Sequence, residues 1–225
     1  MQAPHLVYFA DPMCSWCWGF SPVISEIAQR HGDALPIRLV LGGLRPWTQQ
    51  PMDAGERADV RSHWEHVHEA SGQPFDFAFF DRPRFVYDTE PASRAVVVLR
   101  RRGMQTALAA LQRIQHAFYA QNQDVTDAGT LAALAAGLGV DAAEFRAEFA
   151  SEQAMQETRA DFAIAQQAGV RGFPTLIAGD GRDGRYALIT HGFQPAARIV
   201  PALDRWLGSI SGTAADAAGQ SCALP

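Results

Sequence analysis

The stretch HLVYFADPMCSWCWGFSPVISEI, residues 5–27, changes its hydrophobic period at one point. Residues 5–10 are a short apolar run with Val, Tyr and Phe, closed by Asp11-Pro12, the pattern of a buried strand. Beyond it Phe20, Val23, Ile24 and Ile27 fall at i, i+3, i+4 and i+7, one face of a helix, and Gly32 supplies its stop. Pro22 lies inside that helix and predicts a kink. A second apolar run, PIRLVLGGL (36–44), predicts another buried strand. Strand, helix and strand joined by short loops make a βαβ unit, so the chain is committed to a helix packed across a sheet. Two cysteines, Cys14 and Cys17, stand where the strand gives way to the helix.

Residues from about 45 to 150 carry little strand signal. RPWTQQPMDAG reads as a loop. Helices are predicted over 57–69, over 90–102 and along Leu108, Leu111, Ile114 and Phe118. Asp127 caps a helix that carries Leu131, Leu134 and Leu138, and Asp141 with Glu144 reads as a capping box before Phe145 and Phe149. A helix over 152–168 follows, then a hairpin of PTLIAG and RYALIT around DGRDG. Pro195 opens a last helix, with Ile199, Leu203 and Trp206 inward and Gly208 as its stop. The predicted class is α/β, a thioredoxin-like layout with a helical insertion. Residues 1–44 and 152–210 form the thioredoxin-like part, 45–151 the insertion, and 211–225 a flexible tail.

Composition narrows the function. A net charge of −5 and a pI near 5.8 argue against nucleic acid as the main partner, and no block of like charge suggests a membrane surface. All 19 basic residues are arginine, which excludes lysine chemistry such as a Schiff base. The longest apolar runs are too short to span a bilayer, and MQAPHLVYFA lacks the features of a secretory leader, so the expected location is the cytoplasm. Three cysteines are no disulfide scaffold, and a lone pair in a reducing compartment points to catalysis or metal. Oligomeric state is not legible.

A C-x-x-C pair can serve zinc, haem or redox chemistry. Zinc takes four ligands, no second C-x-x-C exists, and HWEHVHE (63–69) reads better as a solvated helix face than as imidazole ligands, so no metal is expected. Haem attachment needs a histidine where Trp18 stands. A redox dithiol suits the location, because the unpaired N–H groups of a helix start favour the thiolate of Cys14. Cys17, one turn in, is then the protected resolving thiol. GVRGFPT (169–175) is the second signature. Pro174 opens a strand directly after a helix, and a cis Phe173–Pro174 bond would leave the Phe173 backbone free to pair with an extended substrate.

Cys14-Ser15-Trp16-Cys17 after a first strand, a long helical insertion and GVRGFPT together resemble the DsbA family of thioredoxin-fold oxidoreductases, and ADPMCSWCWGF is similar to its FrnE-like branch. The resemblance implies a nucleophilic Cys14, a resolving Cys17 and a cis-proline at Pro174. It also implies that the helix begun by YDTEPASRA (87–95) faces the dithiol, although a plain cap with a first-turn proline is the preferred reading of that stretch. Trp16, Phe173 and Arg171 are the expected substrate-binding residues, and Trp18 is expected in the core. Asp11 is read as a turn residue that could also tune proton transfer. Ser15 and Trp16 bring no charge to Cys14. The expected potential therefore lies nearer the reducing end of the span of about −270 to −120 mV found for such dithiols.

The expected activity is that of a protein disulfide oxidoreductase, a reductase or isomerase. It would act on a disulfide-containing protein or a small-thiol adduct, with no bound cofactor and with glutathione or another thiol as electron donor. A kappa-type glutathione-dependent transferase or isomerase is one alternative, disfavoured by the intact dithiol. A non-catalytic chaperone or adaptor is the other. Cys222 reads as a tail thiol, and CALP as a poor prenylation signal.

Overall fold

The first apolar run forms β1 (His5–Ala10), buried from Leu6 onward. Both its faces are apolar, which is what a central strand covered on two sides requires. The computed structural model describes residues 3–182 and 184–219, with side chains through residue 210. α1 (Ser15–His31) follows β1 and continues through Pro22, burying Phe20, Val23, Ile24 and Ile27. β2 (Ile37–Leu41) lies parallel to β1, with Leu6 opposite Ile37 and Ala10 opposite Leu41. β3 (Thr175–Gly179) pairs antiparallel on the other side of β1, and β4 (Tyr186–His191) antiparallel to β3, in the order β2-β1-β3-β4.

β2 stops at Leu41, three residues before the end of its apolar run. Gly42 N–H still donates to Ala10 O at 2.8 Å, but Gly43 turns to φ +69° and Leu44 N–H leaves the ladder for the Asp11 carboxylate. Glycine adopts that φ without the steric cost a Cβ brings.

Between β2 and β3 come α2 (Ala54–Ser71), a 3₁₀ turn over Phe77–Asp81, α3 (Glu90–Arg100), α4 (Met104–Tyr119), α5 (Ala128–Ala136), α6 (Ala142–Phe149) and α7 (Glu152–Gln167). Asp127, Asp141 and Ser151 cap their helices through their side chains. The reciprocal capping box is at Asp53 and Glu56. At α6 the Glu144 carboxylate instead accepts from Arg102 at 2.8 Å, an ion pair winning over the return bond to the cap.

α8 (Ala196–Gly219) runs eleven residues past Gly208, the predicted stop, and includes much of the predicted flexible tail. One glycine costs a helix only about 1 kcal/mol against alanine, and the alanine-rich segment beyond it favours continuation. Cys222 and the rest of 220–225 lie outside the described residues.

The buried core is continuous from the sheet into the helical block. Trp64 is its aromatic centre, 4.8 Å from Phe79, 5.0 Å from Tyr119 and 5.7 Å from Phe118 between ring centroids. A second tie is polar. Asp161 on α7 takes a two-pronged bond from Arg100 on α3, at 2.6 and 3.0 Å, and accepts Leu41 N–H at 2.9 Å.

Candidate active site

Everything that carries chemistry gathers where β1 turns into α1. Asp11 and Pro12 end the strand. The Asp11 carboxylate accepts Met13 N–H and Leu44 N–H, each at 2.8 Å, while its carbonyl accepts Cys14 N–H at 3.1 Å. This fixes Cys14 as the N-cap of α1, with extended backbone and no side-chain capping bond. Asp11 therefore builds the turn. It is also completely buried, and burial raises its carboxyl pKa to about 6 against the opposing hydrogen bonds from Leu44, Met13 and Thr89.

Both cysteines are free thiols. Cys14 is 5 % exposed and Cys17 fully enclosed. Cys14 is thus less open than a helix-start position suggests, and it lines a pocket. Burial pushes the Cys17 thiol well above its usual range. Interaction with Cys14 adds to this, and the Asp11 backbone N–H opposes it. Only a thiolate attacks a disulfide, so a thiol held neutral in this way is the less reactive of the two.

The loop before β3 comes back against the pair. Cys14 Sγ donates to Phe173 O at 3.5 Å, the Phe173–Pro174 bond is cis, and Pro174 is buried. Gly42 makes this approach possible: a Cβ there would lie 2.0 Å from the Phe173 ring.

A pocket of roughly 290 Å³ opens over Cys14. Trp16, Arg45, His63, Tyr87 and Phe173 are among its walls. Trp16 is half-buried and packs on Phe193 at 5.7 Å. Trp18 is buried, stacks parallel to Tyr119 and donates Nε1–H to Pro74 O at 3.0 Å. Arg171 is exposed and lines a different groove, with Gly42, Phe162 and the far side of Phe173. The arginine beside Cys14 is Arg45, over the Tyr87 ring at 5.5 Å and paired with Glu56 at 3.5 Å.

A family model described as DSBA-like thioredoxin domain matches residues 5–203. The chain belongs to this DSBA-like family.

Among solved DSBA-like structures it is similar to a candidate protein disulfide isomerase from Nitrosomonas europaea: 38 % identity, TM-score 0.85, 92 % of this chain and 99 % of that one. It is similar also to the cytosolic disulfide reductase DsbM from Pseudomonas aeruginosa, with 28 % identity and TM-score 0.71 over 93 % and 98 % of the two chains. DsbM has been solved with GSH as well. Among curated proteins it resembles the ClpXP adapter protein SpxH of Halalkalibacterium halodurans, 24 % identical over 92 % of this chain and 69 % of that protein. It spans 58 % of the Bacillus subtilis SpxH.

Several residues of this DSBA-like site escape a reading of the sequence alone. Tyr87 was readable as a mere helix preface, yet its hydroxyl donates to Met13 O at 2.6 Å and lies 3.4 Å from the Tyr119 hydroxyl. Arg45 and His63 come from the loop after β2 and from α2, so only the packed insertion brings them to Cys14. The Gly42-Gly43 pair was the one available signal, since adjacent glycines after a strand mark close backbone approach. Among the described residues no group of three or more His, Cys, Asp or Glu could hold a metal ion, and no helix is long and apolar enough to cross a membrane.

Proposed function

We propose that this protein is a cytoplasmic thiol–disulfide oxidoreductase working as a reductase or isomerase. The observation that carries the reading is the Cys14–Cys17 pair at the start of α1, with Cys14 Sγ held against the Phe173 carbonyl. The Cys14 thiolate attacks one sulfur of a substrate disulfide, and the other sulfur leaves as a thiol. Cys17 then gives up its proton and attacks Cys14 Sγ. The second substrate sulfur departs as a thiolate and is protonated, and the two electrons have passed from the dithiol to the substrate. Two molecules of an external thiol such as glutathione return the enzyme to its reduced form.

The peptide flanking the substrate disulfide would pair with the Phe173 backbone and rest on Trp16. A pocket of roughly 290 Å³ suits a small-thiol adduct as well. Cytosolic action is supported by the likeness to DsbM, and a glutathione-type donor by the solved DsbM with GSH.

Trapping tests this. Cys17→Ser should accumulate a covalent adduct through Cys14 when offered glutathione disulfide or a disulfide-bonded protein, and Cys14→Ser should form none. Equal labelling of the two variants would reject the assignment of roles.

The likeness to SpxH supports a second reading, a partner-binding adaptor on the same fold. Leu44, on the wall of the pocket over Cys14, and Trp47, packed on Phe162, are exposed at 42 % and 51 % and would serve such a surface. Under that reading Cys14→Ser/Cys17→Ser would leave the biological output intact.

A further inference from the structure

Beside the pocket over Cys14, a groove of roughly 460 Å³ runs between the loop after β2, α7 and the loop before β3. Gly43, Leu44, Phe162, Val170, Arg171 and Phe173 are among its walls. Leu44, Gly172 and Phe173 also line the pocket over Cys14, so the two cavities meet. The groove is the larger of the two. A chain too long for the pocket over Cys14 has a path past Phe173 into it.

The groove has an apolar side. Leu44 and Trp47 are two of the four large apolar side chains exposed among the described residues. Leu44 lines the groove, and Trp47 packs edge-on against Phe162 at 5.7 Å. Trp47 holds φ +59°, a region that bulky side chains rarely adopt, and its N–H donates to the Asp88 carboxylate at 2.7 Å. An exposed aromatic fixed in a costly backbone conformation belongs to a binding surface more than to a core.

The groove also has a charged side. The protein carries a net charge of −5, yet no Asp or Glu lines either cavity, and their basic groups are Arg45, His63 and Arg171. Arg45 is paired with Glu56. The Arg171 guanidinium is exposed and has no hydrogen bond or ion pair among the described residues. A free guanidinium next to an apolar surface complements an acidic side chain next to an apolar one. Arg171 stands two residues before Phe173, whose carbonyl faces Cys14 Sγ. An extended chain advances about 3.3 Å per residue, so one lying along this loop reaches Arg171 about two residues from the sulfur held at Cys14.

We propose that this groove binds the polypeptide flanking the substrate disulfide, and that it selects an acidic side chain about two residues from the reacting cysteine with an apolar one beside it. The acidic side chain pairs with Arg171, and the apolar one rests on Leu44, Trp47 and Phe162. The groove thus makes the protein discriminate among polypeptide disulfides by their flanks. This deepens the dithiol reading and rests on it.

Symmetric disulfide dimers of a short peptide test it, because attack at either sulfur gives one product. The Cys14 thiolate forms an S–S bond to one peptide, and the other peptide leaves as a thiolate that takes a proton from water. The first peptide carries Phe and Glu about two residues from its cysteine on both sides. Its counterparts replace Glu with Gln or Lys, or Phe with Ala. Adduct formation on Cys14 is timed in the Cys17→Ser protein and located by mass mapping. The Glu peptide should react at least about threefold faster than the Gln peptide. That ratio should fall to about one in Arg171→Gln, and in Arg171→Glu the Lys peptide should overtake the Glu peptide. The Phe peptide should outpace its Ala counterpart at least about fivefold, and Trp47→Ala should remove most of that difference. Ratios taken within one protein cancel any general damage to the fold. Equal rates with the Glu and Gln peptides, or a Glu preference that survives Arg171→Glu, overturn the proposal. A dimer in sedimentation that Trp47→Ala breaks would give the groove to a second copy of this chain and overturn it too. No adduct with any disulfide, glutathione disulfide included, would instead reject the oxidoreductase reading and the proposal with it.

Discussion

Asp11 concentrates the electrostatics of the site in one residue. Its neighbours hold the carboxylate with backbone N–H groups, yet complete burial wins and raises its pKa from 3.8 to about 6. The folded state thus prefers the neutral carboxyl. The stability gained from that preference is full below the ordinary value, declines as pH rises, and is gone above about pH 6. About two pKa units correspond to roughly 3 kcal/mol. The stability of the parent relative to Asp11→Asn should therefore fall by about 2 kcal/mol between about pH 4 and pH 7, most of the full difference, read from urea unfolding at both ends. A difference that stays flat would place Asp11 in the ordinary carboxyl range. Cys17 gives a second expectation. Its enclosure and raised pKa should make it resist iodoacetamide near neutral pH while Cys14 is alkylated, and faster labelling of Cys17 in single-cysteine variants would reverse the roles. Cys14, Cys17 and Asp11 were legible because turn and helix start are local in sequence. Arg45 was signalled only by the close approach that Gly42-Gly43 implies, and Tyr87 only through the family resemblance, because neither local pattern names what lies across the fold.

Elements meet around glycine and around one buried ion pair. The end of β2 and the loop before β3 approach so closely that Gly42→Ala must push the Phe173 ring aside. Overpacking of this kind costs about 1–3 kcal/mol. Because Phe173 O faces Cys14 Sγ, the same change should also slow adduct formation, so thermal unfolding and the first kinetic step should shift together. Asp161 joins α7 to α3 and β2. Asp161→Ala leaves Arg100 without its partner and Leu41 N–H without its acceptor, and should cost about 3–5 kcal/mol in urea unfolding. Helix cores were readable from periodicity. Caps such as Asp127 and Asp141 were readable too, but other element ends were not, because competing partners decide them: Leu44 N–H goes to a carboxylate rather than a strand, Glu144 to Arg102 rather than its own cap, and Gly208 is passed through.

At the scale of the whole molecule, the order of elements was readable and the division of labour was not. Composition draws its boundaries near residues 44 and 151, where strand signal gives way to helices and returns. Packing crosses both. Trp18 on α1 stacks on Tyr119 of α4, Tyr87 ties to the carbonyl of Met13, and buried side chains from both regions form one core cluster. A helical block that merely decorated a thioredoxin-like sheet would unfold apart from it. Here separation would strip Tyr8, Cys17, Trp18 and Phe20 of part of their cover, exposing aromatic groups that are each worth about 1.5–3 kcal/mol when buried. The two regions should therefore unfold in one transition, despite a length at which intermediates become common. In scanning calorimetry the van 't Hoff and calorimetric enthalpies should agree, and tryptophan fluorescence, reporting Trp64 in the insertion and Trp18 beside the dithiol, should lose signal at the same midpoint as far-ultraviolet circular dichroism. Two resolved transitions would show that the insertion and the sheet are separate folding units, and that the dithiol can lose its Tyr87 and Arg45 walls while keeping its own turn.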